Sequence, residues 1–452
     1  MFASKNIAGL VLLLAQSVAV QSMDLDSRNG ILEASNSLAG DLIEFYNGNK
    51  SGNIPGLLEE DNGLGDGYYW YQSGAFMSAF IDYWQLTGDD TYNDLVSEGI
   101  QWQIGRDKDF MPANQTAKEG NDDQAIWAMA AMTAAEYGFP APSDKKAQWY
   151  DLAKNAWDTQ RKRWDAEEDS EVCYGGLRWQ IMPTNSGYNY KSTLSTALFF
   201  NLGARIHRWT GSDEVADYVT MAYSWLEARD LIDRKTGAVY DGAQVSDNCT
   251  TTNKYQWSYN AASLSMGLAY LYNTTSNEDD TWRRLTEKMV TTTLDTFFTK
   301  DGEFKEVACV KGNCPRDIPT YKALTHRWLA VTTQLAPFLS DKVLPVLHNS
   351  AKSLKAEGNG KDSLEQKLAN FAIVSNLLIA DSAGPMIQNQ TKTEDDSSDA
   401  TGSATTSVAP TNSDAAASAT TSADQGNSAI NLGGLSSLLA MSMLIVVFQG
   451  LL

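Results

Sequence analysis

Between residues 23 and 385 the chain repeats one pattern, in which apolar residues fall at three- and four-residue spacing between short polar junctions. About twelve such segments begin near residues 30, 72, 90, 121, 146, 190, 213, 255, 279, 318, 341 and 363, and that spacing predicts helices. They pair through a recurring junction. Trp84-Gln85-Leu86-Thr87-Gly88-Asp89-Asp90-Thr91-Tyr92 joins one pair and Arg208-Trp209-Thr210-Gly211-Ser212-Asp213-Glu214 another, with a looser version from Tyr272 to Trp282. In the first two, glycine is placed to end one helix and Asp or Ser to cap the next. Repetition at a period of tens of residues marks stacked helical hairpins. Six hairpins can close into an all-α ring, an (α/α)6 barrel, or stay open as a solenoid. Closure is favoured because aromatic segments precede the inner helices: Tyr68-Tyr69-Trp70-Tyr71, Arg178-Trp179-Gln180, Tyr188-Asn189-Tyr190 and Tyr255-Gln256-Trp257-Ser258-Tyr259. In a ring these converge on one rim, and a rim of aromatic faces and hydrogen-bonding groups suits a sugar.

The two ends differ from this body. Residues 1–22 hold Lys5, an apolar run from Ile7 to Ala15 and small residues before Met23, the pattern of a secretory signal peptide. Residues 386–427 are rich in Ser, Thr, Ala and Asp and lack aromatics, so they read as a disordered stalk. Residues 428–452 end in the apolar run Leu435–Leu452 with no Lys or Arg after it. Preceded by Gly426-Asn427-Ser428-Ala429, this is the pattern of a GPI-attachment signal, with Asn427 the expected attachment residue. The chain is thus expected on the outer face of the plasma membrane and in the cell wall, held by lipid alone.

An oxidising route predicts that the four cysteines pair. Cys309 and Cys314 flank a four-residue loop and are expected to bond to each other, which leaves Cys173 and Cys249, although sequence alone allows three connectivities. A formal charge of −21 speaks against nucleic acid or an anionic membrane surface and suits a neutral ligand. Sequons stand at Asn49, Asn114, Asn248, Asn273 and Asn389. His207, His326 and His348 lie inside helical patterns and read as structural, so neither a metal nor a cofactor is implied. A monomer is expected.

The sharpest local feature is Glu119-Gly120-Asn121-Asp122-Asp123-Gln124-Ala125-Ile126-Trp127. Its bland reading is a helix start, with Asn121 as N-cap, Gln124 completing a capping box and the aspartates at the positive end of the helix dipole. Its functional reading is glycosidic cleavage, which needs two carboxyl groups, one as acid and one as nucleophile or base. An adjacent pair fits the shorter separation of a retaining mechanism more naturally. Two carboxyls this close also resist joint ionisation, which lifts one pKa toward the acid role.

These residues resemble the catalytic motif of glycoside hydrolase family 76, the endo-α-1,6-mannanases. Gly175-Gly176-Leu177-Arg178-Trp179-Gln180, Gly187-Tyr188-Asn189-Tyr190-Lys191, Tyr240-Asp241-Gly242, Gln256-Trp257-Ser258-Tyr259-Asn260-Ala261 and Arg327-Trp328-Leu329-Ala330 extend the likeness over residues 24 to 340. Leu25-Asp26, Val245-Ser246-Asp247-Asn248-Cys249, Tyr321–Phe338 and the anchor signal resemble the fungal wall-biogenesis branch. The resemblance implies an (α/α)6 barrel, a retaining mechanism with Asp122 as nucleophile and Asp123 as acid/base, and mannose-containing glycans of the wall or of GPI anchors as partners. Sugar contacts are expected from Trp70, Arg178, Trp179, Gln180, Tyr188, Tyr190, Asp241, Asp247, Gln256, Trp257, Tyr259 and Asn260. Arg178 can instead form a buried ion pair, and Trp179 and Trp257 can be core. Tyr71 stands where many relatives have Trp, and Tyr174 where a small residue is common. Transfer to another sugar competes with hydrolysis as the outcome, and a mannan-binding surface protein without turnover is the alternative of another class.

Overall fold

A computed structural model describes residues 23–388, except 60–66, 141–146, 169, 171, 276–279, 310–313 and 355–362. The signal, the anchor with Asn427 and the sequon at Asn389 lie outside the described residues. Twelve helices are described. Six form an inner ring: α2 (Trp70–Thr87), α4 (Asn121–Glu136), α6 (Thr193–Thr210), α8 (Ser258–Thr274), α10 (Ile318–Leu335) and α12 (Leu364–Ser375). Each packs on the next and α12 returns to α2, so the ring is closed. The outer helices α1 (Arg28–Ile43), α3 (Asn93–Trp102), α5 (Trp149–Glu168), α7 (Asp213–Ala228), α9 (Asp280–Phe297) and α11 (Ser340–Lys352) each cover an inner one. The fold is an (α/α)6 barrel.

Sequence dictates which helix goes inside. An inner helix touches neighbours on every side, so it is buried all round, as in the Ala- and Met-rich α4, where only the two aspartates of the first turn reach the surface. The outer α9 buries one stripe, Thr286, Met289, Val290, Thr293, Leu294 and Phe297, at three- and four-residue spacing. Close approach inside the ring relies on missing side chains. A Cβ on Gly203 would come within 2.7 Å of Val219, and one on Gly267 within 2.5 Å of the Phe200 ring.

The hairpin junctions follow the expected chemistry in part. Gly88 and Gly211 end α2 and α6 with φ of 78° and 72°, conformations that glycine adopts without strain. Ser212 caps α7 by accepting from the Val215 N–H. Asp89, expected to cap α3, instead accepts from Thr91 in a tight turn and from the Tyr83 hydroxyl. That geometry places the helix start four residues later, at Asn93.

Because consecutive inner helices run the same way, their N-termini gather at one rim and their C-termini at a base. The rim carries a small antiparallel sheet, absent from an all-α reading: β1 (Tyr190–Ser192), β2 (Gly242–Gln244) and β3 (Thr252–Asn253), with Tyr190 opposite Gln244 and Gly242 opposite Asn253. Cys173 bonds to Cys249, tying the loop after α5 to this sheet, and Cys309 bonds to Cys314 ahead of α10. At the base Arg205 meets Glu136 at 2.6 Å and Arg327 meets Asp82 at 2.6 Å, all four groups buried. The last described residues also lie there. Gln85 and Gln334 donate to the Ala383 carbonyl, Arg208 donates to the Pro385 and Met386 carbonyls, and the Met386 N–H donates to Glu136 O.

Candidate active site

The rim encloses a cavity of about 1050 Å³ whose floor is the first turn of α4. That turn is clamped from four directions. The Asn121 N–H donates to the Trp179 carbonyl (2.8 Å), and the Asn121 Nδ2 donates to the Arg178 carbonyl (2.9 Å). The Arg163 guanidinium donates to Asn121 Oδ1 and Gln124 Oε1, both at 2.7 Å, and Gln124 donates to the Asp109 carbonyl at 2.7 Å. The capping expectation is corrected here. The N-cap is Gly120, whose N–H donates to Asp123 Oδ2 at 2.6 Å, so Asp123 supplies the return bond of a capping box. Asn121 and Gln124 face away from the helix end and hold it against the neighbouring loops.

Asp122 and Asp123 both line the cavity. Burial raises Asp122 well above the ordinary carboxylate range, and the neighbouring Asp123 charge adds to it, against hydrogen bonds from backbone N–H groups and the Trp179 side chain. Burial likewise raises Asp123, which the Gly120 N–H holds to about 6. The pair therefore retains one proton near neutrality. Glu119, only 2 % exposed, stands beside them on the wall with neither carboxyl oxygen hydrogen-bonded, and burial plus the Asp123 charge push it up to about 9.

The walls are aromatic. Trp70 donates its indole N–H to Gln103 and packs 5.3 Å from Trp127, while Trp179 is 43 % exposed over the opening. Tyr71 and Tyr321 both donate to Asp317 Oδ2, at 2.6 and 3.2 Å. Across the cavity Tyr190 and Asn253 donate to Asp241, which burial nevertheless raises. Gln180, Trp257 and Tyr259 complete the sugar contacts expected from sequence that reach the wall. Among the charged residues on the wall are five carboxyls (Glu119, Asp122, Asp123, Asp241, Asp317) and one ammonium, Lys118.

Five expected contacts lie off the wall, and this corrects the sequence reading. The Arg178 guanidinium turns to Glu167, its Nη2 donating to Oε2 at 3.1 Å, and covers the Tyr188 ring at 4.3 Å. Those contacts occupy the Arg178 guanidinium and one face of the Tyr188 ring. Buried Lys191 joins Glu167 at 2.8 Å, so this cluster anchors the two paired segments that carry Trp179 and Tyr190. Asp247 sits in the turn Val245–Asp247, Gln256 is absent from the wall that its neighbour Trp257 lines, and Asn260 is buried in the first turn of α8. Tyr71 lines the cavity, whereas Tyr174 lies outside it, 55 % exposed beneath Arg229. Asp317 and Tyr321 are wall residues that no local sequence signal marks as site residues. Asp317 reads locally as the residue before a helix, and only closure of the ring brings it to Tyr71.

An aromatic-walled cavity with an unpaired carboxyl couple on its floor is the construction of a glycoside hydrolase. Residues 30–389 match the profile of Glycosyl hydrolase family 76, and the chain belongs to that family. It is 39% identical to the mannan endo-1,6-alpha-mannosidase DCW1 of Saccharomyces cerevisiae over 331 residues, 73% of this chain and 71% of that one. Among solved structures it resembles Dfg5 from Chaetomium thermophilum in complex with glucosamine (TM-score 0.76, 41% identity, 82% of this chain and 95% of that one). The GH76A alpha-1,6-mannanase of Salegentibacter sp. HEL1_6 shares the fold, with a TM-score of 0.61 at 16% identity over 77% of this chain and 98% of that one.

Proposed function

We propose that the protein is a retaining glycosidase or transglycosidase acting on α-1,6-linked mannose in cell-wall biogenesis. The observation that carries this reading is the adjacent, buried Asp122–Asp123 pair, which retains a proton and lines a sugar-sized cavity. Asp122 attacks the anomeric carbon while Asp123 gives its proton to the departing glycosidic oxygen. Positive charge developing at the anomeric centre favours ionised Asp122, which draws the shared proton to Asp123 as the bond breaks. In the second step Asp123 takes a proton from water or from an acceptor hydroxyl, whose oxygen displaces Asp122 from the sugar. Water yields hydrolysis, and a wall glycan yields transfer.

The names of the relatives support the substrate class, since DCW1 is called a mannan endo-1,6-alpha-mannosidase. The acidic wall also suits an amino sugar such as the glucosamine in the Dfg5 complex. Both sugars occur together in the core glycan of GPI anchors, which makes anchored glycoproteins fitting donors. The signal peptide and lipid anchor expected from the sequence fit this reading, since they would put the enzyme beside such donors on the outer face of the plasma membrane. The test replaces Asp122 and Asp123 singly by Asn and assays cleavage and transfer on α-1,6-mannan oligomers. Both variants should lose turnover, and a mannosyl adduct should be trapped on Asp122. A variant that matches the wild-type rate overturns the assignment.

A further inference from the structure

Three aromatic side chains form a staircase leading out of the cavity along the segment that enters α8. Tyr259 is innermost, buried on the wall close enough to the catalytic pair to feel the Asp122 charge. Trp257, also on the wall, is nearly parallel to it, at 4° with ring centroids 6.3 Å apart. Tyr255 follows 6.5 Å beyond Trp257, tilted by 34°. The backbone is extended before α8, as the φ of −113° and ψ of 138° at Trp257 show. Alternate side chains of an extended segment share one side, which lines up positions 255 and 257, and Tyr259 follows in the first turn of α8.

Tyr255 lies beyond the cavity and is 61 % exposed, the most open of the large apolar side chains among the described residues. Its backbone N–H donates to Asn253 Oδ1 at 3.3 Å. Neighbouring Lys254 is turned away onto the Tyr240 ring at 3.9 Å. An aromatic face left open in continuity with a ligand cavity marks an extension of that site.

We propose that Tyr255 floors a further glycan subsite outside the cavity, taking a neutral pyranose of the same chain whose inner units rest on Trp257 and reach Asp122 and Asp123. The proposal rests on the glycan-processing function above. It makes recognition depend on chain length, because a short oligomer held at the carboxyl pair cannot also cover Tyr255.

The experiment compares wild type with Tyr255→Ala and Tyr255→Trp on α-1,6-mannobiose and α-1,6-mannohexaose, with thermal unfolding as a control. Tyr255→Ala should raise the KM for the hexaose about five- to tenfold, as expected for one lost stacking contact. Its kcat, its KM for the biose and its Tm should stay at wild-type values. Tyr255→Trp should restore the hexaose KM. An unchanged hexaose KM, or an equal loss on the biose, overturns the subsite while leaving the catalytic function intact. If wild type itself neither binds nor turns over either oligomer, both proposals fall.

Discussion

Helix α4 carries acidic residues at both ends, and the protein treats them in opposite ways. At the base Glu136 is 1 % exposed and meets Arg205 at 2.6 Å, with the Tyr270 hydroxyl on the same oxygen at 2.8 Å. At the rim Asp122 and Asp123 receive backbone N–H groups and the Trp179 side chain, and among the described residues no cation lies within ion-pair distance of them. The nearby cation, Arg163, spends its donors on Asn121 and Gln124. A buried acid with a counter-charge stays ionised and holds structure, whereas a buried acid without one keeps a proton that it can give away. Burial alone does not distinguish the two ends.

The largest test of that contrast is chemical. Asp122→Asn or Asp123→Asn should lower kcat on α-1,6-mannan oligomers by about 10³-fold or more, measured at constant folded protein. The matching change at the base is Arg205→Ala, which leaves Glu136 buried and unpaired. It should cost about 3–5 kcal/mol of unfolding free energy in a denaturant titration, with kcat per folded molecule preserved. If instead the rim variants unfold and the base variant loses turnover, the contrast is reversed.

A smaller effect concerns pH. The folded-state pKa of both rim aspartates lies above the unfolded value of 3.8, so the folded protein holds extra protons between the two. Their contribution to stability is therefore greatest below about pH 4 and is lost as pH rises through the folded values. Asp123→Asn should accordingly be more stable than wild type at pH 7, by about 1–3 kcal/mol, and Asp122→Asn should shift in the same direction, with each difference shrinking toward pH 4. A destabilised variant at pH 7 would show that the carboxylates are stabilised by contacts beyond those described. The smallest effect is expected from Asp317→Asn. The Asp317 charge helps raise Asp123, so its removal should move the alkaline limb of the rate profile, where Asp123 loses its proton, to lower pH by less than about one unit.

Much of the ring was legible because each inner helix announces itself locally. Asn121 and Asp213 open α4 and α7 where the pattern places them, since a polar residue directly precedes each apolar run. The start of α6 falls three residues later than the pattern suggests because Tyr190–Ser192 pairs with β2, a contact between segments distant in sequence that no local spacing encodes. The same limit governs the site. Asp122 and Asp123 are neighbours, so their coupling is written in the sequence. Arg178 read as a sugar ligand because nothing local shows that Glu167 will claim it. Glu119 and Asp317 acquire their places only when the loops before α4 and α10 are brought around one cavity.

The way the barrel domain ends has a practical consequence for how it can be displayed. Residues 383–386 are pinned beneath the C-terminal ends of α2, α4, α6 and α10. The point of departure is therefore on the face opposite the cavity mouth, separated from it by the full length of the inner helices, roughly 24–27 Å at 1.5 Å per residue. A bead or fusion partner joined directly after residue 388 would thus be attached on the face opposite the carboxyl pair.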